Sequence, residues 1–427
     1  MLHLPRAAAL LAAAVLGLAA PPAGAEGHAQ APAAERRLTL REASRLGADR
    51  GPDVALALAP RGAAAETRRA ATAVFTTLPR VTLIAGDRLG ARGGSLEIGG
   101  GVTQDIPLGA VRGARKDAAA AFDRVVELDV ARARLDGAAR AALAWVAVAE
   151  ADAVFAYRRE GAEDAEGILR TLRARVRTGV ADPLELPLAE GDAAAARAAV
   201  LEAEGMRFEA AMELGFAIGE APDAVVAVAG SLEGIADAPG DERALIQLAE
   251  RAHPQVRLAE ARGEAARREA DLAAATFAPF VGVGASYLRE GTGDQIVTGT
   301  LSVPLPFSRP WAFEASRQHA AADVARAQAT RARAELGREI RAALHEREHT
   351  RELHAMLVGT ALAPMKEALR VARAQLDAGT IDVGRVLLAR QRLGAVEQQI
   401  ARARADVRRA DIRLMRAAGT LIDGLSP

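Results

Sequence analysis

Two long stretches that contain almost no proline constrain the fold of this chain more than any other feature. Residues 113–178 contain no proline and residues 312–378 contain only Pro364, and both are rich in Ala, Arg, Glu and Leu. As an α-helix, either stretch would be about 100 Å long, since the rise is about 1.5 Å per residue. The chain is therefore predicted to contain two very long helices, the second with a local kink at Pro364.

The composition is typical of long helices that pack closely. Half of the residues are hydrophobic but only 3% are aromatic, and alanine supplies about half of the hydrophobic residues. Large side chains would normally dominate the core of a globular enzyme. Basic and acidic residues balance at 55 each, which argues against nucleic acid as a partner. The chain has no cysteine, which excludes disulfides, thiolate catalysis, Cys-based zinc sites and a lipidated N-terminal cysteine.

The first 25 residues have the order of a cleavable secretory signal. Arg6 precedes an apolar run from Ala7 to Ala20, and small residues close the segment at Ala23–Ala25. The run is about 14 residues long, shorter than the roughly 20 that a membrane-spanning helix needs. A buried N-terminal helix is the alternative. We predict a signal peptide at 1–25 and a mature chain outside the cytoplasm.

The remaining chain is a tandem duplication. Pro79 aligns with Pro279, and Gly179 with Gly379, when residues 200 positions apart are compared. Because these residues punctuate secondary structure, their recurrence indicates that each copy repeats the same plan. We predict a first structural repeat over 26–220, a linker over 221–241 and a second structural repeat over 242–427.

Each repeat contains the same order of elements. A helical stretch comes first, over 38–78 or 242–277, and a proline ends it. A β-hairpin follows, over about 80–108 in the first repeat and about 280–306 in the second, because apolar residues alternate with Gly, Ser and Thr around a glycine-rich loop. The long helix, a turn and a returning helix complete the repeat.

Apolar and small polar residues alternate along the predicted strands. The same alternation is typical of membrane-barrel strands, which have one face toward lipid and one toward water. A small surface hairpin on a helical protein would show the same pattern, so both interpretations stay open. Four strands per chain cannot close a barrel, which needs about eight or more. If the hairpins enter a membrane, subunits must share one barrel. Phe307, Trp311 and Phe313 follow the last strand and fit either an aromatic girdle or a packed helix start.

These features together resemble the TolC-like outer-membrane efflux channels, also called outer-membrane factors. The similarity covers nearly the whole mature chain: duplicated halves, a hairpin in each, and long helices that end in Gly-x-x-Asp-x-x-(acidic)-x-x-x-Ala. That pattern occurs at 179–189 and, with Arg at the acidic position, at 379–389. A strand-ending Pro-Leu element recurs at Pro107-Leu108 and Pro304-Leu305. No single motif is specific, but their order, spacing and duplication are.

The resemblance implies a mainly α fold with a small β part. It implies a homotrimer whose subunits share a twelve-strand barrel in outer-membrane lipid and a long α-helical coiled-coil barrel in the periplasm. The expected function is a passive efflux or secretion conduit that needs no cofactor, is not an enzyme, and docks on a periplasmic adaptor protein and an inner-membrane pump. The cargo, whether drug, metal cation or protein, is not determined. A periplasmic coiled-coil adaptor or structural protein is the alternative.

The turn between the long helices is the candidate periplasmic aperture. In the family, the second-repeat turn places acidic side chains around the entrance, whereas this chain has Arg385 and Leu388 there. We hypothesise that Glu185 and Arg385, equivalent in the two repeats, lie close together and help to hold the tip shut. The alternative is that both are ordinary solvated charges. The candidate tip residues are Asp182, Glu185, Leu188, Asp382, Arg385 and Leu388, with Gly179 and Gly379 as turn glycines.

One motif points to a different chemistry. The segment His345-Glu346-Arg347-Glu348-His349 matches the H-E-x-x-H sequence of zinc peptidases, with two histidines on one helical face and a glutamate as possible base. A catalytic zinc also needs a third protein ligand and a cleft, and this segment lies inside a predicted long helix. We expect a solvated helix face with no bound metal, and we keep a zinc metallopeptidase as the remote alternative.

Overall fold

A computed structural model describes residues 36–75, 77–90, 93–107, 109–221, 224, 226–232, 241–275, 280–303 and 311–424. The predicted signal peptide at 1–25 lies outside these residues. So do Leu108, residues 233–240 of the predicted linker, the Pro304-Leu305 element and Phe307.

The chain is mainly helical, as predicted. In chain order the helices are α1 (Leu40–Arg50), α2 (Pro52–Leu58), α3 (Arg61–Ala71), α4 (Val111–Arg177), α5 (Glu185–Ala217), α6 (Glu242–Ala252), α7 (Pro254–Ala275), α8 (Trp311–Met356), α9 (Ala363–Asp377), α10 (Val383–Ala418) and α11 (Leu421–Gly424). The strands are β1 (Arg36–Leu38), β2 (Arg80–Gly90), β3 (Gly93–Pro107), β4 (Val226–Val228), β5 (Phe280–Arg289) and β6 (Gln295–Ser302). Across the described ranges, no helix is both long enough and apolar enough to cross a bilayer.

Two helical hairpins dominate the molecule. The first helical hairpin is α4 with α5, and the second is α8 and α9 with α10. Helix α4 alone has 67 residues, which makes it about 100 Å long. Both hairpins therefore have the length that the two proline-poor stretches predict.

Pro364 alters the second long helix without ending it. Six residues between α8 and α9, Leu357–Leu362, form a π-helix, and Pro364 is the second residue of α9. A proline has no N–H to donate, and its ring crowds the carbonyl one turn earlier, so regular α-helical bonding cannot continue through it. The wider π-helical turns absorb the mismatch. The irregularity that the sequence predicts at Pro364 thus takes the form of a π-helix.

The first helical stretch is shorter and more broken than the sequence predicts. Within the helical stretch predicted over 38–78, which Pro79 was expected to end, three short helices α1 to α3 lie between Leu40 and Ala71. Pro52 begins α2, because its fixed φ and missing N–H suit the first helical position. The chain leaves helix eight residues before Pro79, so that proline does not act as the helix stop.

The four predicted strands form one antiparallel sheet in the order β2-β3-β5-β6. The hairpins of the two repeats are joined through β3 and β5, where Gly101 lies opposite Ser286. Glycine is required at this junction, because the first side-chain carbon of any residue replacing Gly99 would lie 2.7 Å from the Tyr287 carbonyl oxygen. The two repeats therefore contribute to a single continuous sheet.

A second, two-stranded sheet was not predicted. Strands β1 and β4 pair in parallel, with Leu38 opposite Val228. Each has only three residues, too few for a period-two pattern to be recognised in the sequence. The indole Nε1 of Trp145, on α4, donates to the Leu38 carbonyl oxygen at 2.7 Å. The small sheet thus lies against the main hydrophobic core, to which most of the helices contribute.

His253 joins two helices through both of its ring nitrogens. It is buried directly before Pro254, the first residue of α7. Its Nδ1 accepts the Gln255 N–H at 3.2 Å, so the ring proton lies on Nε2, which donates to the Arg416 carbonyl oxygen at 3.2 Å. Only the neutral ring can make both contacts. Burial is the main cause that lowers the pKa of His253 below its usual value of 6.5.

Acidification should therefore destabilise the fold through His253. The unfolded chain takes up this proton at higher pH than the folded chain does, so the stabilisation is complete above about pH 6.5 and decreases as the pH falls toward the lower folded-state pKa. We expect the melting temperature of the wild type to fall more steeply between about pH 7 and pH 5 than that of His253→Asn, whose side chain keeps a helix cap without titrating. Parallel pH profiles for the two proteins would contradict this assignment.

Candidate functional site

Both helical hairpins reverse direction through the same turn. The Val180 N–H donates to the Arg175 carbonyl at 2.9 Å, and the Thr380 N–H donates to the Gln375 carbonyl at 2.9 Å. Between these residues, Gly179 and Gly379 have φ angles of +73° and +71°. This is the Schellman arrangement, which satisfies the last helical carbonyls and needs a left-handed residue. Glycine adopts that conformation without the steric cost that other residues meet.

The aspartate three residues after each glycine lies at or just before the start of the returning helix. Asp382 is the N-cap of α10, and its Oδ1 accepts the Arg385 N–H at 3.2 Å, which satisfies a helix N–H that has no partner within the helix. Asp182 lies three residues before α5, and its Oδ1 accepts the N–H of Leu184, the residue directly before that helix, at 2.9 Å. The repeated Gly-x-x-Asp spacing is therefore a helix stop followed by a helix start, a signal already present in the sequence.

The remaining tip candidates do not form one cluster within this chain. Arg385 is exposed and lies 3.7 Å from Asp382 in its own first helical turn. Among the described residues, no ion pair joins Glu185 to Arg385. Leu188 and Leu388 are both half or more exposed. The hypothesis of a Glu185–Arg385 contact thus remains a prediction about the assembled tip.

A small hydrophobic core holds the two helical hairpins together behind the turns. It contains residues from α4, α5, α9 and α10, among them Leu172, Val383 and Val386. Arg175 donates to the Leu376 carbonyl across the hairpins, and the Arg373 guanidinium lies 2.7 Å from the Asp164 carboxylate. Apolar burial and cross-hairpin polar contacts thus fix the turns relative to each other.

Replacing Gly379 with alanine should destabilise the tip by about 1 kcal/mol, because alanine resists a positive φ. The added carbon would also lie 3.1 Å from the Arg175 guanidinium. Gly337→Ala is the matched control, since Gly337 lies inside α8 with open space around it and alanine there favours the helix. Thermal unfolding followed by circular dichroism measures both. A Gly379→Ala protein as stable as Gly337→Ala would contradict the argument.

The H-E-x-x-H segment lies on an exposed face of α8. His345 and His349 are exposed, and Glu346 accepts a hydrogen bond from Arg413 at 2.6 Å. His354, the nearest further histidine, contacts the Arg404 guanidinium at 3.0 Å. Across the described ranges, no group of three or more histidine and acidic side chains is placed to hold a metal ion. The position agrees with a solvated helix face.

The four-stranded sheet has one apolar and one polar face. Side chains opposite each other in neighbouring strands point to the same face, and alternate residues point to opposite faces. The register therefore places the following residues on one face: Val81, Leu83, Ala85, Leu96, Ile98, Val102, Ile106, Val281, Val283, Ala285, Tyr287, Val297 and Leu301. Four polar residues share this face: Asp87, Gln104, Arg289 and Gln295. The other face carries mainly glycine, serine, threonine and charged residues.

The apolar face is not covered by any part of the described chain. Leu83, Val297 and Leu301 are 83%, 78% and 71% exposed. A soluble protein rarely leaves so continuous an apolar surface in water. Phe313, in the first turn of α8, is also exposed, whereas Phe307 and the Trp311 side chain lie outside the described residues. The aromatic girdle therefore remains a prediction.

Comparison with known proteins shows what this sequence and architecture are similar to. Residues 245–420 match the model of a family described as outer membrane efflux protein. No individually curated protein matches the sequence significantly. The matched family consists of transport channels rather than enzymes.

Solved structures share the fold over most of the chain. A membrane protein from Pseudomonas aeruginosa is 21% identical, with a TM-score of 0.70 over 89% of this chain and 92% of that one. The outer-membrane channel OprN is 19% identical, with a TM-score of 0.73 over 89% and 90%. The CmeC outer membrane channel of Campylobacter jejuni is 15% identical, with a TM-score of 0.72 over 89% and 85%. At these identities the likeness shows the fold, which is the one that the sequence predicts.

Proposed function

We propose that this chain, a member of the outer membrane efflux protein family and therefore an outer-membrane channel rather than an enzyme, acts as a passive trimeric conduit from the periplasm to the exterior. Its helical hairpins extend into the periplasm. The energy for transport comes from a partner in the inner membrane, because the chain itself carries no nucleotide-binding loop.

The exposed apolar face of the β2-β3-β5-β6 sheet carries this proposal. Its residues are shielded from water if that face contacts lipid, while the polar and glycine-rich face lines a wet interior. A surface hairpin on a soluble protein would have no reason to present such a face on all four strands. This observation favours the membrane interpretation over the surface-hairpin alternative.

The open edges of the sheet support a trimer. Within the described chain, β2 and β6 each pair on one side only. Unpaired backbone N–H and C=O groups are not tolerated in lipid, so each edge needs a strand from another subunit. TolC-like channels form trimers within tripartite efflux systems. Three copies of this sheet would close a barrel of twelve strands, within the range known for membrane barrels.

The turns at Gly179 and Gly379 form the periplasmic entrance in this proposal, with Asp182 and Asp382 shaping them. Glu185, Leu188, Arg385 and Leu388 then surround the aperture. A periplasmic adaptor protein docks on the helical hairpins and connects them to an inner-membrane pump. The duplicated turn supports this arrangement, since it gives a trimer six equivalent helical ends.

Cell fractionation and bilayer recording test the proposed function. We expect the full chain in the outer-membrane fraction as a trimer that heating dissociates, and purified trimer should conduct ions in a planar lipid bilayer. As a control, a variant with Leu83→Asp and Val297→Asp puts charges on the lipid face and should fail to insert. A freely soluble monomer that never conducts would overturn the proposal.

Arg385→Glu should make the channel more selective for cations. In a trimer this change replaces three positive charges at the entrance with three negative ones, and a charged ring in a narrow opening concentrates counter-ions. We expect the cation-to-anion permeability ratio to rise severalfold, measured as the reversal potential in a salt gradient. Arg392→Glu makes the same charge change two helical turns further from Gly379 and should have a smaller effect. Equal effects of the two variants would remove Arg385 from the aperture.

A further inference from the structure

A cavity of about 680 Å³ lies between α3, the beginning of α4 and the end of α7. Its wall is mainly apolar and includes Phe75, Phe122 and Leu272, together with several alanines of α3 and α4. Volumes of this order are typical of sites that bind small molecules. The cavity therefore has the size and the lining of a ligand site.

Arg115 brings a positive charge into this apolar wall. Its Nε and Nη2 atoms are buried, and neither has a hydrogen-bond partner in the part of the chain that the structure describes. A charged group that is buried without a partner is strongly destabilising. Glu269 also lines the cavity, but it is exposed, and within the described ranges no ion pair joins it to Arg115. Arg115 is therefore placed to contact an anion that enters the cavity.

The cavity lies close to the four-stranded sheet. Helix α4 begins four residues after β3 ends, and Arg115 is the fifth residue of α4. Because the rise is about 1.5 Å per residue, Arg115 is only about 6 Å from the start of that helix. Phe75 and Leu78, between α3 and β2, are 58% and 90% exposed. If the apolar face of the sheet contacts lipid, the cavity lies at the level of the headgroups of the leaflet that faces the periplasm.

Cations gather at this end of α4. Arg112, Arg115 and Lys116 lie in its first two turns, and its first turn contains no acidic residue. Cations near the N-terminus of a helix oppose its dipole, so the stability of α4 does not account for them. Arg112 donates to the Thr72 carbonyl at 3.1 Å and so ties the chain after α3 to α4, whereas Lys116 is exposed. Of these three cations, Arg115 is the one in the cavity wall.

We propose that this cavity binds an anionic phospholipid of the leaflet that faces the periplasm, with Arg115 on the phosphate and the apolar wall around one acyl chain. A guanidinium forms charge-assisted hydrogen bonds with phosphate oxygens, and basic pockets beside membrane-embedded segments bind anionic headgroups. The alanines in the wall leave the width that an acyl chain needs. The site rests on the proposed membrane position of the sheet and adds to it a bound lipid that fixes the depth of the channel in the bilayer.

Lipid retention by the full-length trimer tests this proposal. The trimer is reconstituted into nanodiscs of phosphatidylcholine and phosphatidylglycerol, extracted with a neutral detergent and analysed by native mass spectrometry. We expect the wild type to retain phosphatidylglycerol in preference to phosphatidylcholine. Arg115→Met should retain about tenfold less phosphatidylglycerol, the effect of losing one charge-assisted contact. Lys116→Met is the matched control, because it removes a neighbouring exposed charge outside the cavity and should behave as the wild type does.

Filling the cavity tests the acyl-chain contact separately. Ala70→Phe places a ring in the cavity from an exposed position of α3 and keeps Arg115, so it should also lower phosphatidylglycerol retention about tenfold. Ala63→Phe puts the same ring two helical turns earlier on α3, outside the cavity, and should have no effect. An excess of glycerol phosphate, which carries the charge without the chain, should not displace the lipid. Displacement would indicate a site for a free anion and overturn the proposal.

Failure of the lipid site and failure of the channel function give different results. A trimer that conducts ions but retains as much phosphatidylglycerol in Arg115→Met and Ala70→Phe as in the wild type would overturn the lipid site and leave the channel function in place. Equal retention of the two lipids by the wild type would overturn the role of Arg115. A wild-type chain that never enters membranes would overturn the proposed function and the lipid site with it.

Discussion

Trp145→Ala is expected to cost about 3–5 kcal/mol of folding free energy, the loss typical of removing a large ring from a packed core. Trp145 lies near the middle of α4 and is 1% exposed. The ring fills the main core, and its N–H holds β1 against α4 through Leu38. Alanine would leave a cavity in the core and remove the hydrogen bond to Leu38, so we expect little assembled protein.

Trp145→Phe separates the two contributions of the indole. Phenylalanine keeps an apolar ring in the core but loses the hydrogen bond to Leu38. The Leu38 carbonyl still accepts the Ala229 N–H at 2.8 Å, so the lost bond should cost only about 1 kcal/mol. Denaturant unfolding followed by circular dichroism gives both values. If alanine cost no more than phenylalanine, the core around Trp145 would not depend on its volume.

Gly137→Val should prevent α1 from docking on α4, at a cost of about 3 kcal/mol or more. Gly47 on α1 and Gly137 on α4 face each other with no room for a side chain. A carbon on Gly137 would overlap the Gly47 carbonyl oxygen, and a carbon on Gly47 would lie 2.5 Å from the Ala141 side chain. Because the obstructing atom is backbone, no rotamer change relieves the overlap, and the helices must separate.

Gly167→Ala is the matched substitution on the same helix. An added carbon at Gly167 meets only the end of the flexible Arg170 side chain at 3.8 Å, so alanine should stabilise α4 by up to about 1 kcal/mol. Unfolding of the purified proteins and protease sensitivity of the α1 region report the difference. A Gly137→Val protein as stable as wild type would show that α1 does not pack on α4 through these glycines.

Local rules account for the parts of the fold that the sequence predicted well. The four strands follow from alternation around glycine-rich loops, and the length of α4 follows from the absence of proline between its ends. The helix reversals are readable in the same way, because Gly179 and Asp182 act on neighbouring backbone groups. The prediction that Pro79 ends a helix was wrong, because α3 already ends at Ala71 and the residues before Pro79 are not helical.

The candidate site was predicted only in part. The turns and their glycines were found, and the pairing of Glu185 with Arg385 stays a prediction about the assembled tip. The structure adds a buried cross-repeat ion pair that alignment could not suggest, between Asp192 and Arg390, which are not equivalent positions of the two repeats. Which residues meet across the repeats depends on how far packing shifts one helix along the other.

The sequence alone therefore determined what depends on neighbours along the chain: the long helices, the hairpins, the two-faced strands and the turns. The tertiary structure decided which hairpins share a sheet, which helix His253 anchors, and which opposite charges are buried together. These contacts join residues such as Asp192 and Arg390, almost 200 positions apart. Their geometry depends on the rotation and offset of whole helices, which core packing sets and no local pattern encodes.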